Sequence, residues 1–306
     1  MAHPTRKAFI LGAGLGTRLR PLTEKLPKPL VPFANRPMVE HVLDHCIAAG
    51  IEAFAINTHH CAEAWLEHFP EQSYRGCPIT FYHEPVLLET GGGIKNIADW
   101  IDGEPLLVYN GDILTDIDIA ALISQHSRTE DHATLALLAG GANCNVGIAG
   151  DRVTDIRYLR KIDPGTHQFS GIYIIQPDLL DLIPADTKVS IIPAFIVLAE
   201  RQQLGAHFCE QASWQDLGTI EEYLRAHHAL AQETGVEATS CSTANIHPDA
   251  QVDTKTCFLG ANCVIEQGSK LSNSIVWPNA HVHAGAELYQ CIVRYQAEGS
   301  HRMETL

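Results

Sequence analysis

AFILGAGLGTRLRPLTEKLPKPLVP, residues 8–32, reads as a buried strand that breaks into a turn carrying charged chemistry. The apolar run from Ala8 to Leu11 stops at glycines 12, 14 and 16. Lacking a Cβ, such residues let backbone N–H groups approach a phosphate closely. The same strand-like composition recurs in EAFAINT (52–58), PITFYHE (78–84) and PLLVYNGD (105–112). In PMVEHVLDHCIAAG, Val39, Val42, Leu43, Cys46 and Ile47 fall on one helical face, and Gly50 ends it. Strand, helix, strand implies parallel strands covered on both faces, with ligands bound at their carboxyl ends. Further strands are expected at 133–139, 145–150, 152–159 and 168–176, with helices near 189–201 and 219–232. The expected class is α/β, a Rossmann-like mixed sheet occupying residues 1–232.

From Ile246 the pattern changes. Apolar residues recur every sixth position at Ile246, Val252, Phe258 and Val264, and again at Val276, Val282 and Leu288; Lys270 breaks the series with Leu271 beside it. A hexapeptide period punctuated by turn residues predicts a short left-handed parallel β-helix over 246–296. The polar stretch 233–245 reads as a linker and 297–306 as a polar tail.

With 306 residues and 45% hydrophobic content, the chain can fill a substantial core. Its 36 acidic against 21 basic side chains give a net charge of −15, which disfavours nucleic acid and anionic membranes as partners. No run approaches the ~20 apolar residues that span a bilayer, and a cytoplasmic location is expected. The nine scattered cysteines contain no CxxC pair and read as idle thiols. His59-His60, His227-His228 and His281/His283 match no zinc spacing and read as surface residues.

The glycine turn is neither a P-loop, which would close on Gly-Lys-Ser/Thr, nor a dinucleotide turn, which would place Gly or Ala where Thr17 stands. It runs instead into Thr17-Arg18 and, ten residues on, Pro27-Lys28-Pro29. The prolines hold Lys28 on a stiff segment suited to an electrostatic clamp. Asp112 closes the apolar run PLLVYNG at a strand exit, where a carboxylate can hold a hard cation.

GxGTRLxPLTxxxPKPLVP is similar to the signature of the sugar nucleotidylyltransferases, the group that includes glucose-1-phosphate thymidylyltransferases and mannose-1-phosphate guanylyltransferases. The resemblance implies that an NTP and a sugar 1-phosphate become an NDP-sugar and pyrophosphate, with Mg²⁺. It implies catalytic roles for Arg18 and Lys28, and nucleotide contacts from Gly12, Gly14, Gly16, Thr17, Glu89, Thr90, Gly91 and Gly92. The glycines of LLETGGGIKNI would let the base lie against the backbone. Sugar contacts are implied for Asn110, Gly147, Ser170 and Gly171, and metal ligation for Asp112 with Asp216 of WQDLGT.

RYLRKIDPG (157–165) departs from the Glu-Lys-Pro motif of thymidylyl- and guanylyltransferases, leaving Lys161 as a substitute for its lysine. LETGGGI, NGD and FSGI look more like the N-acetylmuramate-1-phosphate uridylyltransferases, whereas the β-helix resembles guanylyltransferases. GTP with mannose or heptose 1-phosphate and UTP with N-acetylmuramate 1-phosphate therefore both stand. A regulatory paralogue that binds a nucleotide sugar without turning it over is the alternative. The β-helix is expected to serve packing or homo-oligomer assembly rather than acyl transfer, because it has fewer than three coils.

Overall fold

The computed structural model describes residues 5–140, 143–234, 242–295 and 301–305. The chain divides into two compact units: Met1–Gly16, Leu22–Pro29 and Val39–Trp214 form the first, and Thr17–Pro21, Leu30–Met38 and Gln215–Leu306 the second.

The first unit is built on ten strands: β1 (Lys7–Leu11), β2 (Ala53–Thr58), β3 (Ser73–Tyr74), β4 (Cys77–His83), β5 (Leu106–Asn110), β6 (Ala133–Ala139), β7 (Val146–Ala149), β8 (Arg152–Ile156), β9 (His167–Ile175) and β10 (Leu204–Phe208). Their order is β7-β8-β10-β6-β9-β5-β1-β2-β4-β3. The four strands β4, β2, β1 and β5 are mutually parallel, as the strand–helix–strand alternation predicts. β9 then runs antiparallel to both β5 and β6, which makes the sheet mixed. β1 sits inside the parallel group with Ala8, Phe9 and Ile10 fully buried. One face packs against Ile94, Ile97, Ile191, Phe195 and Leu198, from the helices Glu89–Asn96 and Ile192–Glu200 and the residues beside them.

The strand expected over 152–159 ends at Ile156, because the chain then wraps around a buried carboxylate. Asp155 is fully buried; it accepts N–H bonds from Arg160 (3.0 Å), Ile162 (3.0 Å) and Asp163 (3.5 Å). The strand Leu204–Phe208, absent from the sequence reading, pairs parallel to β6 and completes the sheet.

In the second unit, three coils of short parallel strands, where fewer than three were expected, stack Ile246 on Ile265 on Val282, Val252 on Leu271 on Leu288, and Leu259 on Val276 on Val293. The β-helix is present, and its register corrects the six-residue series. Leu259, Ile265 and Leu271 point inward, where Phe258, Val264 and position 270 were expected. The interval from 252 to 259 is seven, whereas those from 271 to 276 and from 288 to 293 are five, so beyond Leu259 the inward positions follow a six-six-five spacing rather than a strict six. A slip of one turns every strand side chain to the opposite face. Within the expected tail, His301–Thr305 pairs antiparallel with Cys291–Tyr295. Residues 235–241 of the expected linker lie outside the described residues.

The helix Ile220–Thr234, assigned by sequence to the nucleotide domain, belongs to the second unit. Trp277 Nε1 donates to Tyr223 Oη (3.2 Å), and His228 Nε2 lies 3.1 Å from the Asn273 carbonyl. His227 is buried rather than superficial: Ala34 N–H donates to its Nε2 (3.2 Å), and its ring meets those of Phe33 (4.5 Å) and Phe258 (4.8 Å). Among the described residues no helix is long and apolar enough to cross a membrane.

Burial alone would raise the Asp155 pKa, but the N–H donors around it outweigh that and hold it below the usual carboxylate range. A depressed folded pKa gives stability that is present above the unfolded value and lost as pH falls through the folded one. Asp155→Asn is therefore expected to lower Tm by roughly 2–4 °C at neutral pH. Thermal melts should show that gap closing only as pH falls below the usual carboxylate range, since the folded carboxylate holds its charge to lower pH than the unfolded one.

Candidate active site

Because β1, β2, β4 and β5 are parallel, their carboxyl ends open on one side, and their last residues meet there. Gly111 N–H donates to the Leu11 carbonyl (3.0 Å), which ties the turn after β5 to the end of β1. Asp112 follows at once. Its Oδ2 lies 2.7 Å from Lys28 Nζ, and Lys28 itself is only 6% exposed. Sequence reasoning singled out both residues, one as clamp and one as metal ligand, without anticipating that they touch.

A second polar chain fixes the glycine turn. Asn57, at the end of β2, accepts the N–H groups of Gly12 (2.8 Å) and Ala13 (3.3 Å) on Oδ1. Its Nδ2 donates to Glu84 Oε1 (2.8 Å), and Glu84 Oε2 accepts the Leu88 N–H (2.9 Å). Asn57 and Glu84 are both buried. The relay joins the ends of three strands to the loop that opens the helix Glu89–Asn96.

These groups border a cleft of ≈ 430 Å³. Leu11, Ala13 and Gly14 come from the first strand and its turn, Asn57 and Glu84 from the relay, Leu87, Glu89 and Thr90 from the helix entry, and Asn110 and Asp112 from the end of β5. Lys188 completes the wall, with Nζ 3.8 Å from Glu89 Oε1. Asn57, Glu84 and Lys188 were missed because each stands outside any glycine motif; the signals available were a strand-end Asn and a carboxylate after the strand PITFYH.

Gly91 and Gly92 have a packing reason for lacking side chains. A Cβ on Gly91 would come within 2.8 Å of the Ser190 carbonyl oxygen, and one on Gly92 within 2.5 Å of that of Thr187. Gly92 N–H donates to the Val189 carbonyl (3.0 Å), and Thr90 Oγ1 accepts the Ile191 N–H (2.9 Å). The two glycines therefore pack the helix against the segment that carries Lys188. Of the sugar-side residues, Asn110 lines the cleft and Gly171 lies against it: a Cβ on Gly171 would meet Asn110 Nδ2 at 2.6 Å. Ser170 is buried, its carbonyl accepting Trp214 Nε1–H (2.9 Å). Gly147 packs on Asp163 and, like Lys161, does not border this cleft.

In the second unit, Thr17 and Arg18 lie on an exposed 3-10 turn. Arg18 Nη2 is 3.3 Å from Asp216 Oδ2, with the Arg18 side chain 64% exposed. A Cβ on Gly218 would collide with this guanidinium at 2.7 Å, so the glycine of WQDLGT makes room for the pair.

A family model described as nucleotidyl transferase matches residues 7–233. The chain belongs to the nucleotidyl transferase family. The chain is similar to mannose-1-phosphate guanylyltransferase of Mycobacterium tuberculosis, 30% identical over 305 residues, covering 93% of this chain and 83% of that protein. Mannose-1-phosphate guanyltransferase of Yarrowia lipolytica is 30% identical over 279 residues, covering 87% of this chain and 73% of that one. UDP-glucose pyrophosphorylase from Acinetobacter baumannii shares the fold, with a TM-score of 0.64 at 20% identity over 75% of this chain and 94% of that chain.

Asn57→Ala removes the acceptor of two N–H groups and the partner of a buried carboxylate. It should lower unfolding free energy by about 2–4 kcal/mol in urea titrations. Asn57→Asp keeps the shape but sets a second carboxylate against Glu84, so it should be no more stable than Asn57→Ala. Gly91→Val is expected to disorder the 187–191 segment, read as protease sensitivity there, before any effect on a bound base.

Proposed function

We propose that this nucleotidyl transferase joins GTP to mannose 1-phosphate, forming GDP-mannose and pyrophosphate. The observation that carries the reading is 30% identity to a mannose-1-phosphate guanylyltransferase across 93% of the chain. The Lys28–Asp112 pair at the cleft supports an active enzyme over a regulatory paralogue, since both charges that the chemistry requires are retained.

The sugar phosphate oxygen attacks the α-phosphorus in line; the new P–O bond forms as the α–β bond breaks and pyrophosphate leaves. The chain supplies position and charge rather than a nucleophile. The turn 12–16 receives the phosphates, Glu89 and Thr90 border the base, and Asn110 and Gly171 border the sugar. Lys28, already fixed beside the cleft, stabilises negative charge gathering on the transferring phosphoryl and the departing pyrophosphate, with Arg18 as its counterpart in the second unit.

The donor set suits Mg²⁺: Asp112 is a half-exposed carboxylate at a strand end beside the Asn110 amide, and Asp216 a second carboxylate, all hard oxygen ligands. Asp112 and Asp216 would hold the ion, which when bound neutralises phosphate charge and polarises the α-phosphoryl group. Lys28 pairs with Asp112 and Arg18 with Asp216.

Lys28→Met should reduce kcat by at least about tenfold to a hundredfold while changing nucleotide Kd much less, because its charge acts mainly on the chemical step. Asp112→Asn and Asp216→Asn should each nearly abolish pyrophosphate release, and the double variant should lose little more. Pyrophosphate release measured over GTP, UTP, dTTP, CTP and ATP against mannose, heptose, glucose and N-acetylmuramate 1-phosphates tests the substrates. Highest kcat/KM with GTP and mannose 1-phosphate is expected; preference for UTP with N-acetylmuramate 1-phosphate would replace that assignment.

A further inference from the structure

Among the described residues, Glu266, His281 and His283 form the one group of three or more His, Cys, Asp or Glu side chains whose ligand atoms all lie within 4.8 Å of one another. They lie on the β-helix, and the coil register assembles them. Val264 stands beside His281 and Ile265 beside Val282, which puts Glu266 next to His283 in the following coil. Ile265 and Val282 point into the coil, 1% and 3% exposed. Alternation along a strand therefore turns 266, 281 and 283 outward together, on coils about 4.8 Å apart.

The geometry is already close to a chelate. His281 Nε2 lies 2.6 Å from Glu266 Oε1. The two imidazoles stack with centroids 4.8 Å apart and planes inclined by 31°. The other carboxylate oxygen of Glu266 accepts the Ala284 N–H at 2.8 Å, which fixes the orientation of the group as ligand-supporting hydrogen bonds do in metal centres. Ligands about 2.0–2.1 Å from a tetrahedral ion stand roughly 3.3 Å apart, so closure needs shifts of at most about 1.5 Å.

We propose that Glu266, His281 and His283 bind a transition-metal dication, Zn²⁺ or a congener such as Co²⁺ or Ni²⁺, on the outer face of the β-helix. Two imidazoles and one carboxylate favour such ions over Mg²⁺, and three protein ligands leave a fourth position for water. The site shares no residue with the Mg²⁺ carboxylates, differs from them in chemistry and does not depend on the proposed substrates. By joining neighbouring coils it would clamp the solenoid, since an ion held only by the folded form stabilises that form.

The test uses the full chain, stripped with EDTA and kept in excess Mg²⁺. Calorimetric titration with Zn²⁺ should show one tight equivalent, Co²⁺ should give the visible absorption of a four-coordinate site, and Zn²⁺ should raise Tm. His283→Ala, which removes an exposed side chain, and Glu266→Gln, which keeps the shape, should each weaken Zn²⁺ at least tenfold and abolish the Co²⁺ band and the Tm rise. His247→Ala, at the corresponding place in the preceding coil, should bind as wild type. The site is overturned if wild type takes up no tight equivalent, if both ligand variants retain wild-type affinity, or if the loss follows His247 instead.

Discussion

An ammonium group taken out of water must keep a countercharge, and Lys28 meets that condition through Asp112. Much of the site follows from this pair. Pro27 and Pro29 stiffen the backbone on either side of the lysine, so its place is set by the turn after β5. That turn is set in turn by the bond from Gly111 to the end of β1. The second unit holds a looser version of the same arrangement in Arg18 and Asp216, whose exposed geometry contributes little to stability. One cation is thus committed to the fold and the other left adaptable.

Parallel strands explain why so much polarity converges. Each of β1, β2, β4 and β5 delivers its final residues to the same edge, where the ladder bonds run out and side chains take over the satisfaction of backbone N–H groups. Asn57 does this for Gly12 and Ala13, and Glu84 for Leu88. The glycine turn, the cleft wall and the helix Glu89–Asn96 are consequently held by two buried side chains in contact with each other.

The sequence disclosed what is local. Apolar runs marked the parallel strands because β1, β2 and β5 are buried on both faces, and the motif spacing marked Lys28, Arg18, Asp112 and Asp216. What escaped depended on partners far along the chain. Leu204–Phe208, interrupted by Gly205, becomes a strand through its pairing with β6 on one side and β8 on the other. His227 looked superficial beside His228, yet Phe33 and Phe258 enclose it. The glycines at 91 and 92 signalled a close approach, and atoms of residues 187–190, far along the chain, make one there. Lys188 sits in no motif and reaches the cleft only because that segment is packed there.

After the seven-residue step from Val252 to Leu259, the inward positions Leu259, Ile265, Leu271, Val276, Val282, Leu288 and Val293 advance by six, six and five residues and then repeat. The five-residue step falls at the same corner of successive coils, so it belongs to the repeat. Ile265 accordingly meets Val282, and Leu271 meets Leu288, seventeen residues later. A coil grafted from a strictly six-residue repeat would be one residue too long for this solenoid, and it would carry a frame error into every strand that follows unless one corner were shortened with it.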